Sequence, residues 1–509
     1  MTAIYLINPR AQPQAYFGAD IYADSGFGGV QLVADLTIAT VAAFVPDDFT
    51  LRLCDEHLAA VDLDTEADIV ALTGKTSQAP RMLELADEFH RRGKLVVIGG
   101  PYASLAPEAV RPHCDILVQG EIEEIAPALF ADLRSGRWAA EYRGSQADLS
   151  LTPIPRWDLY PNSRALIGAV QTSRGCPFTC EFCDVPTYAG RRQRHKAPTQ
   201  VLAELDVLYG LGYRSVFLAD DNFTASRARA RELLTALAAW NHSRPHGPVA
   251  FATQMSVDAA RDDDLLQMCA KAGLTVVFVG LETASEDSLR ETGKRQNLGI
   301  DPVEMVGRFL DHHIMVISGL IVGFDADGPD IFDRQRRFVD SAPVPIFSLG
   351  ALVASSGSPL HRRMAHSGRL LPDQPYGTAQ PWSTNIVPKG MSGEQLLNGL
   401  QQLGTDIYHP RAFGDRMLRM LERLGPYTGP PPSNEAVAPQ TSLGRDTAAI
   451  VKSLAGLGAE ERAMLARVGR YALRHRPDAL PLIQTCLRFY AQIRHVYAQA
   501  GFLPTTEGA

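Results

Sequence analysis

Three closely spaced cysteines constrain this chain more than any other feature of its sequence. Cys176, Cys180 and Cys183 stand in the run Thr-Ser-Arg-Gly-Cys-Pro-Phe-Thr-Cys-Glu-Phe-Cys, which has the spacing Cys-x3-Cys-x2-Cys. Thiolates this close together can ligate three irons of a [4Fe–4S] cluster, which usually has four cysteine ligands. The missing fourth ligand leaves one iron open to a small molecule that chelates it through an amino and a carboxylate group. The spacing therefore predicts that these three cysteines are metal ligands and catalytic residues.

Other interpretations of the three cysteines require partners that the sequence offers only weakly. A zinc site needs a fourth ligand, and His195 is the nearest candidate. A disulfide framework needs an even number of cysteines in a secreted protein, whereas this chain has seven cysteines and no signal-peptide pattern. The remaining cysteines are scattered among apolar neighbours and are interpreted as small core residues: Cys54, Cys114, Cys269 and Cys486.

Composition narrows the class of protein. A chain of 509 residues with 45% hydrophobic residues predicts two to four packed domains. The formal net charge of −8 argues against a nucleic-acid partner, which would need basic patches. No uninterrupted apolar run reaches the roughly 18 residues of a transmembrane helix. Free cysteines and an oxygen-sensitive cluster suit a reduced compartment, so we expect a cytoplasmic enzyme.

Residues 1–144 alternate between short apolar strands and amphipathic helices. Continuous apolar strands separated by helices predict a parallel sheet covered on both faces. The expected strands are 4–7, 51–54, 69–72, 95–98 and 116–118, and the expected helices are 32–45, 81–92 and 122–134. Such sheets bind ligands beyond the carboxyl ends of their strands, where glycines let the backbone approach a ligand closely. The candidate binding residues there are Gly74, Gly99, Gly100, Gly120 and Glu121.

The rest of the chain divides into further segments. A Pro-rich linker is expected at 145–165, followed by a second alternation of strands and helices at 166–345. Its expected strands are 169–172, 215–219, 249–252, 276–280 and 317–322. Beyond it we expect a C-terminal extension at 346–425, a Pro-rich linker at 426–440 and a helical tail at 441–509.

The cysteine run, with aromatic Phe182 before its last cysteine, resembles the cluster motif of radical S-adenosylmethionine (radical SAM) enzymes. The likeness extends beyond the cluster loop to the cobalamin-binding branch of that superfamily. In particular, the chain resembles the group that contains the hopanoid methylases and the bacteriochlorophyll side-chain methylases. The segments that carry this resemblance are Pro-Arg-Trp-Asp at 155–158, Ala-Asp-Asp-Asn-Phe at 219–223, Gly-Leu-Glu-Thr at 280–283, Gly-Lys-Arg-Gln-Asn at 293–297 and Val-Gly-Phe-Asp at 322–325.

The resemblance implies both a fold and an activity. The implied fold is α/β, with an N-terminal Rossmann-like cobalamin-binding domain, a partial (β/α)6 radical SAM barrel and a helical C-terminal extension. The implied activity is C-methylation of an unactivated carbon in a small molecule, such as a natural product, lipid or tetrapyrrole, through a 5′-deoxyadenosyl radical and methylcobalamin. The implied cofactors are a [4Fe–4S] cluster, SAM and cobalamin, with flavodoxin or ferredoxin as electron donor.

The resemblance also implies roles for residues near the barrel strand ends. The backbone of Phe182 would contact adenine, and Glu282 would accept hydrogen bonds from ribose hydroxyls or, alternatively, cap a helix. Gln254 and Ser256 are candidates for holding the methionine end of SAM. Asp220 is a candidate cofactor contact or acid–base group, although carboxylates at strand ends also cap helices.

Alternatives remain at the cobalt ligand and at the reaction. The string Asp-Glu-His57 mimics a known cobalt-ligand motif but follows the second strand, while the loop after Ile7 contains no histidine. We interpret His57 as a polar contact, which leaves a corrinoid without a protein imidazole or a domain that has lost cobalamin. A radical rearrangement or cyclisation without methyl transfer and an iron–sulfur or corrinoid sensor are the alternative functions.

Overall fold

The computed structural model describes residues 2–11, 16–22, 30–371, 382–431 and 443–502, with backbone only for 443–447. Fifteen strands occur in these ranges, two of them only two residues long. They are β1 Ala3–Asn8, β2 Gln31–Val33, β3 Thr50–Asp55, β4 Ile69–Thr73, β5 Leu95–Gly99, β6 Ile116–Gln119, β7 Glu141–Arg143, β8 Ala165–Val170, β9 Ser173–Arg174, β10 Arg194–His195, β11 Ser215–Leu218, β12 Ala250–Met255, β13 Leu274–Glu282, β14 Met315–Val322 and β15 Ile346–Ala351.

Helices cover the faces of the sheets and build the C-terminal part of the chain. Those up to residue 291 are α1 Asp20–Tyr22, α2 Leu36–Ala42, α3 Ala79–Arg91, α4 Pro101–Leu105, α5 Pro107–Val110, α6 Ile122–Ser135, α7 Val185–Tyr188, α8 Pro198–Gly210, α9 Arg227–His242, α10 Asp263–Ala272 and α11 Glu286–Glu291. The later ones are α12 Pro302–Asp311, α13 Ile331–Ser341, α14 Pro359–His366, α15 Gly393–Ile407, α16 Pro410–Arg423, α17 Leu443–Gly456, α18 Ala459–His475 and α19 Leu480–Gln499.

The first sheet is parallel, with the strand order β3-β1-β4-β5-β6-β7. Its central strands are apolar on both faces because helices cover both. Helix α3 buries Met82 and Phe89 in the core of one face, and α6 buries Leu129 and Phe130 in the core of the other. This arrangement is the parallel sheet covered on both faces that the alternation predicts, and it agrees with the Rossmann-like domain that the resemblance implies.

The second sheet is a parallel half-barrel with the order β15-β14-β13-β12-β11-β8-β2. Five of its strands, β8 and β11 to β14, correspond to the expected ones, and β15 adds a sixth, so the α/β fold class and the partial (β/α)6 barrel are confirmed. The last strand begins at Ile346, just beyond the boundary expected at 345. The C-terminal helices pack on the barrel and share one continuous hydrophobic core with it.

The segment expected as helix 32–45 is wrong at its start. Residues Gln31–Val33 form strand β2, which belongs to the barrel sheet, where it pairs with β8. The helix begins only at Leu36 because the Asp35 side chain accepts a hydrogen bond from the Ile38 amide and caps it there. A strand of three residues is too short to show the alternation of apolar and polar residues that distinguishes a strand from an adjoining apolar helix.

The Pro-rich segment at 145–165 connects the two sheets and is itself packed. Trp157 and Tyr160 are buried in the barrel core, and the Tyr160 hydroxyl donates to Asp55 Oδ2 at 2.8 Å. The expected linker at 426–440 lies outside the described residues after 431. No helix in the described part of the chain combines the length and apolarity needed to cross a membrane.

Candidate functional site

The three cysteines lie in a loop that follows strand β8 and is closed at its base by the antiparallel pair β9 and β10. The Cys176 amide donates to the Gly190 carbonyl at 3.1 Å. Gly175 has φ 95°, and a Cβ there would lie 2.7 Å from the Arg192 carbonyl oxygen, so only glycine fits before Cys176.

Two adjacent carboxylates hold the start of this loop. Asp220 Oδ1 accepts from the Thr172 and Ser173 amides at 2.7 and 2.8 Å, and its other oxygen accepts from the Thr172 hydroxyl. Asp221 Oδ2 accepts from the Gly175 amide at 2.9 Å. Burial raises the pKa of Asp220 to about 6, although the bonds from Thr172 and Ser173 act to lower it. Asp220 therefore positions the cluster loop and caps no helix.

A chain of ion pairs fixes the other side of the loop. Glu181 accepts two hydrogen bonds from Arg363 at 2.6 and 2.9 Å. Arg363 also donates to Asp325 at 2.6 Å, and Arg369 forms a bidentate pair with the same carboxylate. Because Arg363 and Arg369 follow the last barrel strand, the residues after the barrel hold the cluster loop against the end of β14.

The three thiols suit a cluster as donors. None of them is in a disulfide, and Cys180 is buried while Cys176 and Cys183 are partly exposed. Burial raises the pKa of Cys183 to about 12, and the neighbouring Asp184, Cys180 and Cys176 act in the same direction. Among the described residues, no three His, Cys, Asp or Glu side chains converge on a single-ion site. Thiols within one loop are the donor set that iron–sulfur clusters use.

Glu282 ends strand β13 in a strained conformation next to the cluster loop. It has φ 67°, and the register of β13 against β14 shifts at this point. Its Oε1 accepts from Lys294 Nζ at 2.6 Å, and Lys294 lies 5.8 Å from the centre of the Phe182 ring. The following helix α11 is capped by Ser285, so the helix-cap alternative for Glu282 is wrong.

The other candidates for SAM contacts lie along the same edge of the barrel. Ser256 Oγ accepts from Asn222 Nδ2 at 2.9 Å, and the Ser256 amide donates back to Asn222 Oδ1 at 3.3 Å. The Gln254 side chain is exposed and lines a cavity. Phe182 is half-buried and packs against Phe324. Their cofactor roles stay predictions.

Two adjoining cavities lie between the carboxyl ends of the two sheets. The first has a volume of about 560 Å³ and the second about 530 Å³, within the usual range of roughly 300–1,000 Å³ for small-molecule sites. The first is lined from one side by Gly99, Gly100 and Gly120 and from the barrel side by Gln171 and Gln254. The second lies over the barrel and is lined by the residues Asp184, Phe278, Glu282, Gly319, Ser348 and Leu349. Lys75, Pro101 and Tyr188 line both cavities.

The glycines of the first sheet differ in their relation to the cavity. Gly100 has φ 94°, and a Cβ there would lie 2.4 Å from Thr73 Oγ1, a buried hydroxyl with no hydrogen-bond partner among the described residues. Only glycine therefore fits at this position in the cavity wall. Gly74 is not among the lining residues, and its carbonyl accepts from the Tyr102 amide at 3.0 Å.

Glu121 lines the first cavity, but its carboxylate is bound within the protein. It accepts from both Nη atoms of Arg194 at 2.5 and 2.6 Å and from Arg174 Nη1 at 3.0 Å. Arg174 also pairs with buried Glu123 at 2.8 Å. These ion pairs join helix α6 of the first sheet to the residue that precedes Gly175 in the cluster loop. The sequence did not predict these ion pairs.

His57 contributes no free nitrogen to the cavity. Its Nδ1 lies 3.0 Å from Asp55 Oδ1, and its Nε2 accepts from the Ala11 amide at 3.1 Å. Because Nε2 is an acceptor, Nδ1 carries the proton and donates to Asp55. The side chain therefore makes polar contacts within the first domain.

Comparisons with known proteins agree with this architecture. The Radical SAM superfamily model matches residues 170–333, and a domain of unknown function (DUF4070) matches residues 358–500. An uncharacterized methyltransferase of Synechocystis sp. is 34% identical over 402 residues, which cover 77% of this chain and 74% of the relative. The hopanoid C-2 methylase of Rhodopseudomonas palustris is 32% identical over 66% of this chain, which spans 65% of that relative.

More distant relatives extend the comparison. Bacteriochlorophyllide d C-12(1)-methyltransferase of Chlorobaculum tepidum is 25% identical over 81% of this chain and 88% of its own length. Enzymes named anaerobic magnesium-protoporphyrin IX monomethyl ester cyclase also match, for example that of Cereibacter sphaeroides at 23% identity over 72% of this chain and 64% of its own length.

Two solved structures have the same fold. The cobalamin-dependent SAM radical enzyme OxsB, solved with aqua-cobalamin, has a TM-score of 0.61 at 15% identity and covers 100% of this chain and 82% of its own. The radical SAM methyltransferase TsrM of Kitasatospora setae, solved with cobalamin and a [4Fe–4S] cluster, has a TM-score of 0.56 at 18% identity over 72% of this chain and 78% of its own. The chain is therefore an enzyme of the radical SAM superfamily and belongs to the group that includes the hopanoid C-2 methylase and the bacteriochlorophyllide methyltransferases.

Proposed function

We propose that this enzyme is a cobalamin-dependent C-methyltransferase that methylates an unactivated carbon of a small molecule. The observation that carries the proposal is the pair of adjoining cavities between the facing strand ends of the two sheets. The first cavity lies on the Rossmann-like sheet and suits a corrinoid, whose contacts there would be Gly99, Gly100 and Gly120. The second lies on the barrel beside Asp184, the neighbour of Cys183, and suits SAM.

The chain would hold each group with its own residues. Cys176, Cys180 and Cys183 would ligate the cluster, and Glu282, fixed by Lys294, would accept hydrogen bonds from ribose hydroxyls. Gln254 and Ser256 would contact the methionine end. When bound, the cluster supplies the electron that cleaves SAM to methionine and a 5′-deoxyadenosyl radical, and cobalamin supplies the methyl group. The electron would come from a flavodoxin or ferredoxin in the cytoplasm.

The lining of the first cavity contains no histidine among the described residues. Because both ring nitrogens of His57 are engaged, the corrinoid would be held without a protein imidazole on cobalt. The interface between the two sheets would instead enclose it, with Tyr188 and Lys75 at the junction with the second cavity.

Product analysis tests this function. The enzyme loaded with both cofactors is incubated with SAM, a reductant and extracts that contain the substrate. It should form S-adenosylhomocysteine, methionine and 5′-deoxyadenosine in about equal amounts, because each methyl transfer consumes one SAM as the methyl donor and a second as the radical source. Mass spectrometry with SAM labelled in its methyl group should find the label in the product. Formation of 5′-deoxyadenosine with an unlabelled product would favour a rearrangement or cyclisation, which is the second candidate because of the cyclase relatives.

A further inference from the structure

Residues 16–22 lie between strands β1 and β2 in the sequence. They pack on helix α19, which is near the C-terminal end of the chain. The Tyr16 hydroxyl lies 2.8 Å from the Tyr497 hydroxyl, and both side chains are buried. Trp382 packs edge-on against both rings, at 6.1 Å from Tyr16 and 4.7 Å from Tyr497. The N-terminal segment and the C-terminal tail therefore meet in one aromatic cluster.

A buried glutamine of α19 binds two consecutive residues of the same segment. Gln492 is 2% exposed, and its Nε2 donates to Asp20 Oδ2 at 2.7 Å. Its Oε1 accepts from the Ile21 amide at 3.3 Å. The side-chain amide of Gln492 thus donates one hydrogen bond and accepts another, from two consecutive residues of the N-terminal segment. The two bonds together fix the position of that segment on α19.

The segment 16–22 also reaches the second cavity. Tyr16 lines the second cavity together with Phe278 and Glu282. Phe17 packs edge-on between Phe278 of strand β13 at 5.8 Å and Phe489 of α19 at 5.4 Å. Residues 16–17 therefore lie between the barrel and helix α19, and the Tyr16 ring is the part that faces the second cavity.

We infer that the helical tail shapes the second cavity by holding residues 16–22 in place, with Tyr16 as the positioning residue that lines the cavity and faces the bound molecules. This inference rests on the proposed function for the identity of the cavity's ligand. The domain of unknown function at 358–500 thereby acquires a structural role, since α19 shapes the site although it carries none of the described cavity-lining residues itself.

The substitution Gln492→Leu tests this contact because it nearly keeps the side-chain volume and removes the hydrogen bonds to Asp20 and Ile21. Gln499→Leu is the matched control, since Gln499 is exposed on the same helix and its amide contacts His495. Hydrogen–deuterium exchange of the full-length, cluster-loaded enzyme should show the peptide with Ile21 exchanging about tenfold faster or more in the Gln492 variant. The control should match the wild type. Tyr497→Phe, which removes one hydroxyl, serves as a second variant if Gln492→Leu folds poorly.

Retention of a ligand in the second cavity is measured separately, with S-adenosylhomocysteine as the probe in stopped-flow binding. Its dissociation rate should rise several-fold in Gln492→Leu and Tyr497→Phe but not in Gln499→Leu. Faster exchange at Ile21 with an unchanged dissociation rate would overturn the inference, as would unchanged exchange. If the wild type binds no S-adenosylhomocysteine, the assignment of the second cavity and the proposed function both fail. The exchange result then still decides whether the tail holds residues 16–22 in place.

Discussion

Replacing Cys180 by alanine is expected to abolish 5′-deoxyadenosine formation. The loss should be on the order of a thousandfold or more, because residues that act as one catalytic unit fail together when any member is removed. The anaerobically purified variant should also lose most of its iron and the broad visible absorption of an iron–sulfur cluster. Cys176→Ala and Cys183→Ala should behave in the same way.

The matched control for this experiment is Cys114→Ala. Cys114 is also a partly buried free thiol, but it lies in the first domain and outside the cluster loop. This variant should keep its iron and its rate of SAM cleavage under dithionite. If Cys180→Ala still formed deoxyadenosine on reduction, the assignment of the three cysteines as cluster ligands would be wrong.

Replacing Glu121 by alanine is expected to give the largest loss of stability among single changes at the domain interface. Arg194 is buried and Arg174 is partly buried, and the substitution would leave both without the carboxylate that they share. Breaking a buried ion pair by removing one partner typically costs about 3–5 kcal/mol in the free energy of unfolding. Urea denaturation followed by circular dichroism would measure it.

Glu124→Ala is the control for this change, because Glu124 lies on the same helix α6 but is exposed and accepts only from Ser145 Oγ. Its effect should stay within about 0.5 kcal/mol. Because Arg174 precedes Gly175 in the cluster loop, the Glu121 variant should also retain less iron than the wild type. Equal stability of the two variants would show that the ion pairs do not hold the two sheets together.

Local patterns in the sequence were enough to predict much of this site. The spacing of Cys176, Cys180 and Cys183 places them on one loop whatever the rest of the chain does, and the apolar strand runs fix two parallel sheets. The residues Asp220 and Glu282 could be placed at strand ends because strand ends in such sheets meet at one edge.

Contacts between distant segments were beyond that reasoning. The partners of Glu121 lie 53 and 73 residues later in the chain, and nothing in the local sequence of Arg174 or Arg194 marks them as its ion-pair partners. The pairing of β2 with the barrel and the contact of Tyr16 with Tyr497 have the same origin, since each depends on packing between elements that are far apart in sequence. Tertiary packing, more than local propensity, decided these positions.

The proposed chemistry requires one chain to hold a cluster on the barrel and a corrinoid on the Rossmann-like sheet. The most direct test is the iron and cobalt content of the enzyme purified anaerobically after expression with cobalamin. We expect about four irons and about one cobalt per chain, together with the visible spectrum of a bound corrinoid. Iron at that level without cobalt would contradict the proposal, because the first cavity would then have another occupant and the enzyme another reaction.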